Sequence, residues 1–151
     1  INNAPCAIGI LTKEGIAFGI EKKLISKLLA KINESEKVYP IDSHIMCAVA
    51  GLTSDANILL QNARKDAQDY LYKYEQPKPV EELVQHICKL KHSYTQVGGL
   101  RPFGVSFLFA GWDKINGYQL YHSDPSGNYG GWKAHAIGSN SAVVLVQRTD
   151  E

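Results

Sequence analysis

The segment between Arg101 and Ala134 constrains the fold more than any other. Arg101-Pro-Phe-Gly-Val-Ser-Phe-Leu-Phe-Ala-Gly-Trp-Asp113, then Tyr121-His-Ser-Asp-Pro-Ser-Gly-Asn-Tyr-Gly-Gly-Trp-Lys-Ala134, reads as two strands, a turn and a third strand. Asp124-Pro125-Ser126-Gly127 is a β-turn signature, because proline presets one turn dihedral and glycine tolerates positive φ. The glycines of Gly127 to Lys133 read as serving that turn and the close packing of neighbouring chains.

Upstream, Cys6–Leu11 and Ile16–Ile20 form a hairpin around Lys13-Glu14-Gly15. Lys22–Ile32 is a cationic amphipathic stretch that reads as a connector burying its leucines. Glu36–Ile41 and His44–Ala50 read as short strands, and the apolar run Met46–Ala50 predicts burial on both faces. Ala56, Leu59, Leu60, Ala63, Ala67, Tyr70, Leu71 and Tyr74 recur at helical spacing, with Thr53, Ser54 or Asp55 available as cap. A second helix opens with Pro79 in its first turn. Its inner face is Val80, Leu83, Val84, Ile87, Tyr94 and the stem of Lys91, and Gly98-Gly99 ends it. Strands, two adjacent helices, more strands and the start of a helix at Ala142–Val146 predict an α+β single domain over residues 1–151.

A chain of 151 residues can bury a substantial core, and a net charge of +1 gives no reason to expect nucleic acid or a membrane as partner. No apolar run approaches the roughly 18 to 20 residues that span a bilayer. Cys6, Cys47 and Cys88 are odd in number and sit in apolar contexts. They read as buried free thiols of a cytosolic or nuclear protein rather than disulfides or metal ligands. His44, His86, His92, His122 and His135 show no metal-ligand spacing, so neither metal nor cofactor is expected. Gly127–Lys133 lacks the spacing, the following hydroxyl residue and the helix of a phosphate-binding loop.

The order and wording of Ser35–Tyr39, Ala48–Ala56 and Arg101–Lys133 resemble the α-type subunits of the 20S proteasome. The resemblance implies a four-layer αββα sandwich, the fold of the N-terminal-nucleophile hydrolases, and a chain that is a fragment lacking both family termini. It also implies a non-catalytic structural subunit in a seven-membered ring. Its partners would be other α subunits, a β ring and the C-terminal tails of regulatory particles, in ubiquitin-dependent protein degradation in cytoplasm and nucleus.

Catalytic relatives use an N-terminal threonine whose amine serves as base, tuned by an acid and a lysine. The resemblance places the acid at Glu21, the lysine at Lys37 and the nucleophile at Pro5, which has neither hydroxyl nor thiol. Starting instead from Cys6 moves the partner positions to Lys22 and Val38, which breaks both. The alternative is an active threonine-type peptidase subunit; a third reading is a free-standing binding domain that borrowed the fold. The resemblance also gives Lys37, Gly51 and Leu52 as a pocket for activator tails, in which Gly51 admits a peptide backbone. The competing reading is an exposed Lys37 paired with Glu34 or Glu36.

Overall fold

The computed structural model describes residues 1, 3–22 and 37–142. The Lys22–Ile32 stretch past Lys22, Glu34 and Glu36, and the Ala142–Val146 run past Ala142 lie outside the described residues. The elements are β1 (Ala7–Leu11), β2 (Ile16–Ile20), β3 (Val38–Asp42), β4 (Ile45–Gly51), α1 (Thr53–Tyr74), α2 (Val80–Gln96), β5 (Val105–Asp113), β6 (Gly117–Ser123), β7 (Tyr129–Gly131) and β8 (Ala134–Ile137).

They form two antiparallel sheets, one ordered β2-β1-β8 and the other β3-β4-β5-β6-β7. The hairpin β1–β2 pairs Ala7 with Ile20 and Leu11 with Ile16, and its turn is fastened by Thr12, whose Oγ1 donates to Gly15 O at 2.9 Å. β3 lies at an edge of its sheet, a place that tolerates Pro40 because proline cannot donate to a ladder, and its register shifts between Pro40 and Asp42.

Side-chain alternation along the central strands decides the layering. Cys47, Val49, Val105, Phe107 and Phe109 join Leu59, Leu60, Leu83, Val84 and Ile87 in a core between the five-stranded sheet and both helices. Ala48, Ala50, Leu108, Ala110 and Leu120 point the other way and meet Ala7 and Ile137 of the three-stranded sheet. β4 and β5 are therefore buried on both faces, and the architecture is an α+β sandwich with helices outside stacked sheets. Among the described residues the helical layer lies on one face only. Met46 is an exception to the expected burial, at 46% exposed. It shares the face of Ala48, where three strands do not cover five.

The helices depart from expectation at their ends. α1 would span about 33 Å against about 24 Å for the seven residues of β4. Its last turn outruns the sheet, so Leu71 and Tyr74 are exposed rather than inward, and Tyr70 is only half-buried. Pro79 stands just ahead of α2, at its N-cap, not inside the first turn.

Neither helix is capped by a side chain at its N-cap residue. Asp55, a candidate cap, instead takes a fork from Arg101 at 2.7 and 2.8 Å and the N–H of Gly104 at 2.9 Å. The Arg101 bonds hold its carboxyl below the usual range, against the opposing effect of burial. At α2, Asp113 from the end of β5 accepts the Val80 N–H at 3.3 Å, along with bonds from Ile115, Asn116 and Gln119. Burial works to raise the Asp113 carboxyl, but those bonds outweigh it and leave it below the usual range.

Candidate functional site

The pairing of β1 with β2 sets Cys6 against Glu21, one step beyond Ala7 and Ile20. Glu21 N–H donates to Cys6 O at 2.9 Å, and Cys6 N–H donates to Glu21 Oε2 at 3.1 Å. Lys37, just before β3, donates from Nζ to Glu21 O at 3.2 Å. The start of β1, Glu21 and Lys37 therefore share one corner. Residues 138–139 close over it: Ser139 N–H donates to Ala4 O at 2.8 Å, and a Cβ on Gly138 would fall 2.7 Å from Pro5 O. Gly138 has φ of +96°, so glycine is needed there on both counts.

The chemistry of this corner is limited. Pro5 supplies no nucleophile, and the Glu21 carboxylate receives a backbone N–H. Cys6 is half-buried, not fully buried as expected, because it precedes the strand proper. Burial and then the Glu21 charge push its thiol up, with Lys37 acting the other way, so the thiol form prevails at neutral pH. Cys47 and Cys88 are the buried pair; burial pushes them up to about 12 and about 11.

Lys37, Gly51 and Leu52 gather at one end of the five-stranded sheet, since β3 starts where antiparallel β4 finishes. Lys37 O accepts the Val49 N–H at 2.9 Å, and Leu52 N–H donates to Gly104 O at 3.0 Å. The Leu52 side chain is 51% exposed. The glycine at 51 has a cause within the chain: φ is +130°, and a Cβ would lie 2.2 Å from Gly104 O. Its missing side chain leaves room for the backbone carbonyl of Gly104.

A second lysine centre was only half visible in the sequence. The stem of Lys91 faces inward as expected, but its ammonium is buried too, at 0% exposed. Nζ donates to Ser123 Oγ at 2.9 Å, Val105 O at 3.2 Å and Asp124 O at 3.3 Å, and lies 4.6 Å from the centre of the Phe107 ring. These groups are neutral, so burial dominates and brings Lys91 down to about 8. The turn held by Lys91 is closed by Asp124 Oδ1, which accepts from Ser126 and Asn128. Gly127 (φ +91°) seats it: a Cβ there would lie 2.5 Å from Cys88 O on α2. That glycine packs against α2 of its own chain. Among the described residues no three His, Cys, Asp or Glu side chains converge as a metal site.

A model of the proteasome subunit family matches residues 1–146. The chain belongs to the proteasome subunit family. Its similarity is to the α type-4 branch, the one suggested by Trp112-Asp113 and Asp124–Lys133. It is 62% identical over 144 residues to proteasome subunit alpha type-4-A of Arabidopsis thaliana and 63% identical over 144 residues to proteasome subunit alpha type-4 of Spinacia oleracea. Each alignment covers 95% of this chain and 58% of the relative, so this proteasome-family chain spans less than two thirds of their length.

Proposed function

We propose that this chain is a non-catalytic α-type subunit of the 20S proteasome core. It would stand in the seven-membered outer ring, beside other α subunits and against a β ring, in ubiquitin-dependent protein degradation in cytoplasm and nucleus. The observation that carries the reading is the corner at β1. The position that the resemblance gives to the nucleophile is Pro5, and the acid position, Glu21, is hydrogen-bonded to backbone. An active N-terminal-nucleophile peptidase needs a hydroxyl or thiol with a free amine at that point. Here Ala4 and Pro5 are packed under Gly138 and Ser139.

The test is the native mass of the full-length protein purified gently from its source, with peptidase activity read on the same fractions. Recovery in a large particle of many different subunits supports the scaffold role. A small species that cleaves peptide unaided overturns it.

Within that role, Lys37, Gly51 and Leu52 would receive the C-terminal tail of a regulatory particle. An ammonium meeting a partly desolvated terminal carboxylate is worth about 1.5–3 kcal/mol. Assembled particles carrying Lys37→Ala are expected to keep their composition and bind the activator about tenfold or more weakly, an affinity ratio that 1.4 kcal/mol produces. Unchanged activator affinity removes the pocket and leaves the scaffold role standing.

A further inference from the structure

The two sheets meet through a contact between ionisable rings that the function above does not use. His122 is on β6 of the five-stranded sheet and His135 is on β8 of the three-stranded sheet. Their ring centroids are 4.2 Å apart with planes inclined by 36°. Trp132, in the crossover from β7 to β8, lies against His135 at 4.5 Å. His122 pairs with Leu108 across the ladder, so it shares the face that looks toward the other sheet. His135 pairs with Gly9, which offers no side chain, and its buried Nδ1 has no hydrogen-bond partner among the described residues.

We propose that His122 and His135 form an acid-sensitive clasp between the sheets, in ring contact while both are neutral and driven apart when they take up protons. Two imidazoliums in ring contact repel, and the surroundings offer little to neutralise them. Facing His122 are His135 from β8, Asp124 from the turn after β6 and Lys91 from α2. The ladder partners from β5, β7 and β1 are Leu108, Gly130 and Gly9, none of which titrates. Among the described residues Asp124 favours the charged His122 ring, and its Oδ1 is committed to Ser126 and Asn128.

The electrostatics agree with the geometry. Burial first, then the neighbouring His135, brings His122 down to about 4, and burial lowers His135 as well. A histidine depressed in the fold binds fewer protons there than in the unfolded chain. Stability is then complete above the ordinary imidazole value of about 6.5 and is lost as pH falls from there toward 4.

The test uses the full-length protein. NMR titration of the histidine Cε1–H signals between pH 4 and 8 reads each ring directly. Melting at pH 7 and pH 5 then compares wild type with His122→Gln and with the double variant carrying His135→Gln. The expected result is a His122 midpoint well below 6.5 and an acid-induced fall in melting temperature that shrinks in the variants. The wild-type titration stands whether or not the double variant folds. Both rings titrating near 6.5, or an unchanged acid loss in His122→Gln, overturns the proposal.

Discussion

The two lysine corners of this molecule invert the usual relation between appearance and chemistry. The corner of Glu21 and Lys37 has the residue types of an active site, yet two of its short contacts go to backbone: Lys37 Nζ to Glu21 O, and the Glu21 carboxylate to Cys6 N–H. The corner of Lys91 and Ser123 has an amine brought down to about 8, within 2.9 Å of a hydroxyl. On an open surface that pair would suit a general base and its nucleophile. Here Lys91 and Ser123 are both 0% exposed, and the hydroxyl has no path to a substrate. Access, as much as a perturbed pKa, decides whether a polar cluster is catalytic or structural.

Substitutions at Lys91 should have the largest effect. Lys91→Ala empties a packed volume and strands three acceptors, and we expect a loss of about 3–5 kcal/mol in denaturant unfolding. Lys91→Met keeps the stem and removes the charge, and should lose less than half as much. The charge also has its own signature. A base depressed in the fold binds fewer protons than in the unfolded chain, so stability should rise as pH climbs from about 8 toward the ordinary lysine value of about 10.4. Lys91→Met should flatten that rise; a rise of equal slope in the variant would assign it to other groups.

Gly127→Ala tests the seat of the same turn. Its strained φ and the clash with Cys88 O predict a loss of about 1–3 kcal/mol, read from the shift in denaturant midpoint. The smallest effect belongs to the other corner. Glu21→Gln retains an acceptor for Cys6 N–H and should stay within about 0.5 kcal/mol of wild type, with no change in the peptidase activity of particles that contain it. A large drop in that activity would return Glu21 to the chemistry and break the contrast.

Much of this contrast was legible in the sequence, but unevenly. Helical spacing put the Lys91 stem on the inner face, and the family resemblance picked out Pro5, Glu21 and Lys37. The fate of the Lys91 head was not legible, because its acceptors come from Val105, Ser123 and Asp124, 14 to 33 residues further on. Asp55 misled for the same reason: as a local cap it looked suitable, while its true partner, Arg101, lies 46 residues away. The contact that requires glycine at 51 was not legible either, because the Gly104 carbonyl that crowds it lies 53 residues further along the chain. Periodicity reports which face a residue occupies; it is silent on how far the opposing layer extends, hence the exposed Tyr74 and Met46.

Asp113 has a consequence for the order of folding. The Val80 N–H that it accepts belongs to the first turn of α2, and the carboxylate is 33 residues further along the chain. As synthesis proceeds from the N-terminus, α2 emerges first, with no side-chain cap from its own N-cap residue. Its first turn is completed only when β5 has been made and laid beside it. The same carboxylate shapes the tight turn into β6 through Ile115 and Asn116. Helix start and hairpin turn thus mature in one step, and a nascent chain halted before Asp113 holds a helix still waiting for its end.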